Sequence, residues 1–101
     1  MTAKILIKRD FKEGNTPQIV NIMNDMRALA LTYPGYLSGE TLVERGSPHS
    51  MVVISTWQSM EEWLTWKESP GRNKFEAMLE VYQEGPTIIK EYILGSPLHK
   101  D

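Results

Sequence analysis

Hydrophobic and polar positions change period several times along this chain, and each change marks the edge of an element. Ala3 to Phe11 alternates weakly, with Ile5, Ile7 and Phe11 on one side and Lys4, Leu6 and Lys8 on the other, which predicts a strand. Glu13-Gly14-Asn15 then turns the chain. Thr16-Pro17 predicts a helix start, with the hydroxyl as cap and the proline in the first helical position, where its missing N–H costs nothing. Ile19, Ile22, Met23, Met26, Leu29 and Ala30 recur at helical spacing. The pattern stops at Tyr33-Pro34-Gly35 because the residue before a proline avoids the helical region, giving a helix of about four turns. Tyr36 to Arg45 predicts a second strand, with Leu37, Thr41 and Val43 facing one way and Tyr36, Glu40, Leu42 and Glu44 the other; Gly39 suggests a bulge or a close approach by another group. Gly46-Ser47-Pro48 breaks the chain before Met51-Val52-Val53-Ile54, so the two flanking strands are expected to pair antiparallel. The apolar run itself does not alternate, as in a central strand covered on both faces.

After Trp57 the period becomes helical. Ser59 followed by Glu62 is a capping box, the hydroxyl accepting from a first-turn N–H and the carboxylate reaching back to the N–H of Ser59. A helix from about Met60 then sets Met60, Trp63 and either Trp66 or Lys67 on one face. Ser69-Pro70 repeats the hydroxyl-then-proline opening, Phe75, Met78, Leu79 and Tyr82 share the next helical face, and Gly85-Pro86 closes it. Thr87 to Leu94 is rich in β-branched and aromatic residues and predicts a last strand. Gly95-Ser96-Pro97 releases a polar tail, leaving one domain over 1–101 with an ordered core from about 3 to 95.

The order β-α-β-β-α-β, with its second helix broken at Ser69-Pro70, predicts an α+β, ferredoxin-like fold: a four-stranded antiparallel sheet with the helices on one face. The strands are nevertheless apolar on both sides, Leu6 against Ile5 and Ile7, Val52 against Val53, Ile88 against Ile89. A second apolar layer is required, and the same face of another copy supplies it, so a homodimer formed sheet against sheet is expected.

Composition narrows the function classes. The 101 residues are 41% hydrophobic and 24% charged, ordinary for a globular protein. A net charge of −2 without a basic block argues against nucleic acid. No apolar run reaches membrane-spanning length and the N-terminus lacks a signal-peptide layout, so a cytoplasmic protein without a membrane partner is expected. The chain has no cysteine and two histidines, His49 and His99. That removes disulfides, thiolate catalysis and structural zinc, and no histidine-rich metal site is expected from one chain.

The Pro34-Gly35-Tyr36 entry to the second strand, Trp57 ending the third, the Ser59-x-x-Glu62 cap followed by Trp63 and Trp66, and the Ser69-Pro70 restart together resemble the antibiotic biosynthesis monooxygenase-like branch of the dimeric α+β barrel proteins. The resemblance covers nearly the whole chain. It implies a dimeric α+β barrel and, as activity, oxygenation of an electron-rich phenol, quinol or anthrone without a cofactor. It also leaves open a non-catalytic dimer that binds a small aromatic, because one fold hosts many functions. The haem-degrading branch of the family is disfavoured. Where it uses an asparagine, a tryptophan and a histidine, alignment through Gly14 and Trp57 offers Ile7, Trp66 and Glu76, so the iron would lack its axial histidine.

Candidate chemistry gathers around the tryptophan helix. Trp63 and Trp66 would wall a flat ligand or simply fill the core, and the resemblance favours Trp66 as the pocket-facing one. Arg72 and Asn73, in the opening turn after Ser69-Pro70, are placed to hold an enolate or phenolate oxygen, or else are solvated. His49, in the turn before the central strand, would serve as a proton acceptor or as an ordinary surface histidine. Tyr33, Tyr36, Tyr82 and Tyr92 are possible donors, and Met23, Met26, Met60 and Met78 an adaptable apolar lining or plain core. The ligand-facing set is thus Trp66, Trp63, Tyr36 and Met78, and the chemical set Arg72, Asn73 and His49. His99 is assigned nothing.

Overall fold

The computed structural model describes residues 1–95, so the expected polar tail and His99 lie outside the described residues. The elements are β1 (Ala3–Asp10), α1 (Thr16–Ala30), β2 (Tyr36–Glu44), β3 (Ser47–Trp57), α2 (Met60–Lys67), α3 (Pro70–Glu80) and β4 (Ile88–Ile93). The four strands form one antiparallel sheet in the order β2-β3-β1-β4. This is the expected ferredoxin-like α+β architecture, with the second helix split in two. The split is local chemistry: Ser69 Oγ accepts from Arg72 N at 3.2 Å, and Pro70 starts α3.

Three local details differ from the expectation. Asn15, not Thr16, is the cap residue of α1, because Thr16 is already helical; Asn15 makes no side-chain cap bond, and its Nδ2 donates to the Glu13 carbonyl instead. In the Ser59–Glu62 box the Glu62 N–H reaches Ser59 Oγ at 3.2 Å, but the Glu62 carboxylate accepts from the Ser59 hydroxyl, not from its backbone. That carboxylate lies where a Cβ on Gly35 would stand and would have to swing aside for one, and Gly35 has φ +86, so the backbone of the turn before β2 favours glycine. The third difference moves a side chain. The β2–β3 register shifts between Tyr36 and Ser38, Leu37 is left exposed, and the extra residue reverses the parity. Tyr36 opposes Trp57 and shares the helix-side face with Gly39, Thr41 and Val43. The Tyr36 hydroxyl occupies the space above Gly39, so the bulge and the close approach occur together.

The helix-side face of the sheet carries the core. Ala3, Ile5, Ile7 and Trp57 pack with Ala30, Trp63 and Trp66 in one cluster, and Phe11, Ile19, Ile22 and Leu79 form a second. On the opposite face Leu42, Ile88 and Tyr92 are 47–49% exposed, and Met51 to Ile54 stay partly exposed, so a single chain does not cover both sides of β3.

Edge strand β4 is tied to the core through Glu91, which sits opposite Ile5 and accepts from Trp63 Nε1 at 2.6 Å and Lys67 Nζ at 3.1 Å. The Trp63 hydrogen bond, helped by Lys67 and opposed by burial, holds the Glu91 carboxyl below its ordinary value. A depressed carboxyl contributes stability above its unfolded-state pKa and loses it as pH falls through the folded-state value. Glu91→Ala leaves a fully buried indole N–H without a partner and is expected to cost about 1–3 kcal/mol at neutral pH. In urea unfolding, the gap between wild type and variant should narrow on the acid side of the carboxylate range. A gap constant down to the acid limb would remove the carboxylate from this account.

Candidate functional site

Alternation along β1 puts Ile5, Ile7 and Arg9 on the same buried face, and Arg9 ends that row beneath α1 and α3. There a cavity of about 60 Å³ lies between sheet and helices. Its floor is Ile7, Arg9, Val53 and Ser55 from the two central strands. Met23, Met26 and Arg27 of α1 form one wall, Trp57, Trp66 and Arg72 another, and Tyr36 and Gly39 of β2 close the side.

The aromatic wall is braced from behind. Trp66 stacks on Trp57 at 6.3 Å and 25°, with the Tyr33 edge against it at 4.9 Å. Trp57 Nε1 donates to Ser55 Oγ at 3.2 Å, and the Tyr36 ring meets Trp57 edge-on at 5.1 Å. Burial pushes the Tyr36 phenol above its ordinary value, with Arg27 opposing, so at neutral pH this hydroxyl is a donor.

Charge is concentrated at one end. Arg9 and Arg72, 3% and 6% exposed, both reach the same Glu76 oxygen: Arg9 Nη2 donates to Oε1 and Arg72 Nη2 lies 3.4 Å from it. Arg72 Nη1 also donates to the Lys67 carbonyl at 3.2 Å, and its guanidinium lies 5.6 Å from the centroid of the Trp63 ring. The Nε of each arginine is buried without a partner. Burial holds the Arg72 guanidinium below its usual value, opposed by Glu76 and reinforced by Arg9. At the mouth Arg27 Nη2 donates to Thr41 Oγ1 at 3.0 Å.

The expected site residues separate. Trp66, Arg72 and Tyr36 meet at this cavity. Trp63 does not line it; fully buried, it backs Arg72 and gives its N–H to Glu91. Asn73 lies in an open groove beside Glu80 and Pro86. Met78 is 41% exposed, and Met23 and Met26 supply the flexible lining in its place. His49 lies within β3, which begins at Ser47, and not in a turn before it; it faces a different groove near Asp10 and Glu84, its Nε2 3.8 Å from Glu13 Oε1. Of the positions compared with haem-degrading enzymes, Ile7 and Trp66 line the cavity, and Glu76 is held by the two arginines. Arg9, Arg27, Ser55 and Trp57 complete the site without having been singled out as site residues; for Arg9 the signal was present in its parity with Ile5 and Ile7.

At about 60 Å³ the cavity holds a few waters, whereas pockets for drug-sized ligands run from about 300 Å³ upward. A ring system enters only if the side chains of Met23, Met26, Arg27 or Tyr36 swing aside, and the two methionines have the torsional freedom to do so.

Comparison with known proteins agrees with this architecture. The solved SnoaB from Streptomyces nogalater, a cofactor-independent oxygenase, superposes with a TM-score of 0.83 over 98% of both chains at 15% identity. A conserved protein from Methanosarcina mazei Go1 gives 0.85 over 91% of both at 14%. Protein SchA of Streptomyces halstedii is 21% identical over 91 residues, 90% of this chain, which spans about a quarter (24%) of SchA's length. The model of the family described as antibiotic biosynthesis monooxygenase matches residues 2–78, most of the chain and every element of the cavity, so this protein belongs to that family.

Proposed function

We propose that the protein is a cofactor-independent monooxygenase of an electron-rich phenol, quinol or anthrone. The observation that carries this reading is the placement of Trp66 and Trp57 beside two buried arginines in one half-open, largely apolar cavity. Loss of a proton turns such a substrate into an anion that can pass one electron to dioxygen. The radical pair joins at carbon to form a hydroperoxide, and loss of water leaves a carbonyl, so that a CH2 group and O2 become C=O and H2O. The protein supplies a dry aromatic wall, a donor in Tyr36, and cations at Arg72 and Arg9 for the developing oxyanion.

The test is oxygen uptake with a panel of hydroquinones and anthrones. Arg72→Ala is expected to lower kcat/KM by about 10²–10³, the range for loss of one preorganised oxyanion donor, and Trp66→Ala, which removes the stacking wall, to lower it as well. Unchanged turnover in both variants would reject the site. A second reading, a dimer that binds a small aromatic without chemistry, is favoured by one feature: among the described residues no carboxylate or imidazole faces the cavity. Tight binding with no uptake above the spontaneous rate would select it.

We further propose that the open sheet face, with Leu42, Ile88 and Tyr92 at its surface and Leu6, Val52 and Ile54 between them, is covered by the same face of a second copy. Light scattering after gel filtration should return twice the 11.6 kDa chain mass, and Val52→Lys should shift the protein towards monomer. A well-folded wild-type monomer at micromolar concentration would refute this.

A further inference from the structure

Three arginines and no carboxylate face the cavity among the described residues. Glu76, the one acid near them, stands behind Arg9 and Arg72 and is shared by both through a single oxygen. The buried cluster therefore holds two positive charges against one negative. Arg9 and Arg72, 3% and 6% exposed, each still have a buried Nε–H with no acceptor. Unpaired donors on buried cations are costly, and an anion of one charge in the cavity satisfies both the donors and the charge count. Nor does the cavity provide a proton acceptor: Tyr36 is held as a phenol, Ser55 Oγ accepts from Trp57, and His49 is elsewhere.

We propose that the cavity takes its ligand already ionised, as a flat aromatic monoanion whose carboxylate or acidic phenolate oxygen is held by the Nε–H groups of Arg9 and Arg72. This rests on the reading of the cavity as the substrate site and narrows the substrate class to aromatics that lose their proton in solution before they bind. Arg27, at the mouth, draws the same charge inward. Glu76 leaves the Arg9–Arg72 pair with one positive charge in excess.

The experiment compares 2-naphthoate with 2-naphthol, one frame with and without a charge at neutral pH, by titration calorimetry on the full chain. Naphthoate is expected to bind at least about tenfold tighter, the size of one charge-assisted hydrogen bond gained. Arg9→Met should lose that preference, naphthoate affinity falling by about tenfold or more relative to naphthol. Glu76→Gln, which raises the cluster to two positive charges, should tighten naphthoate and enlarge its thermal stabilisation; the double variant, with one positive charge again, should return towards wild type. A role for the triad in folding alone predicts weaker binding in every variant. If Arg9→Met does not fold, the wild-type comparison and Glu76→Gln still decide. A 4-nitrophenol titration across its own ionisation identifies the anion: affinity rising with pH admits phenolate, and a flat profile with tight naphthoate restricts the site to carboxylate. Equal affinity for naphthoate and naphthol, or weaker naphthoate binding in Glu76→Gln, would overturn the proposal. The two readings fail separately. Charge-ordered naphthoate binding without oxygen uptake removes the monooxygenase alone, and uptake with neutral phenols at a rate independent of their ionisation removes the anion requirement alone.

Discussion

Replacing Trp57 by alanine is expected to lower the free energy of unfolding by about 3–5 kcal/mol, the range for truncating a buried aromatic. Trp57 has no exposed surface, ends β3 opposite both Ala3 and Tyr36, and touches three aromatic rings: Tyr36 at 5.1 Å, Trp63 at 6.1 Å and Trp66 at 6.3 Å. No neighbour can collapse into the space without abandoning its own role. Trp66 would leave the cavity wall, Trp63 would leave Glu91, and Tyr36 would leave Gly39. Against a typical total of about 5–15 kcal/mol the loss is a large part of the stability. Urea unfolding should show the midpoint falling with little change in slope, and Trp57→Phe, which keeps a ring in the space, should recover part of it. A loss below about 1 kcal/mol would mean that the cluster repacks freely, and the account of a braced wall would fall.

The legible parts of this chain are those written in period and punctuation. Strand alternation, helical spacing and the breaks at Pro34-Gly35, Ser69-Pro70 and Gly85-Pro86 mark all seven elements, because proline and glycine stop elements for steric reasons that tertiary context rarely overrides. What failed depended on single-residue parity or on competition between equivalent groups. Nothing in Tyr36-Leu37-Ser38 signals that Leu37 is the extra residue, yet that one insertion turns Tyr36 into the cavity. Asn15 and Thr16 can both cap, and the backbone conformation decides. α3 ends at Glu80, short of the expected stop at Gly85-Pro86; its inward positions are Phe75 and Leu79, four apart, with Tyr82 packing just past its end, which leaves Met78 at the border of the stripe and outside the site. Trp63 and Trp66 have equal claims by spacing; Glu91, on a strand 28 residues away, takes the indole N–H of Trp63 and fixes it in the core. Arg9 was legible by alternation, but a basic residue near a strand end reads as solvated until its partner is known, and Glu76 lies 67 residues away.

Glu76→Ala is expected to cost about 3–5 kcal/mol, comparable to Trp57→Ala but for an electrostatic reason. Wild-type Glu76 is the only acid in contact with two nearly buried guanidiniums among the described residues, and its removal leaves Arg9 and Arg72 facing each other. Burial already disfavours the charged form of Arg72, and Arg9 adds to that, so losing Glu76 removes the charge that opposes both. The two losses differ in how they respond to solvent. A cavity left by Trp57 is apolar and indifferent to salt, whereas two uncompensated cations attract any small anion that can reach them. Added sulfate should therefore raise the melting temperature of Glu76→Ala more than that of wild type or of Trp57→Ala, and Glu76→Ala combined with Arg9→Met should be more stable than Glu76→Ala alone, because the second change removes the repulsion created by the first. Strict additivity of Glu76→Ala and Arg9→Met, with no selective effect of sulfate, would show that the three side chains do not act as one charge cluster.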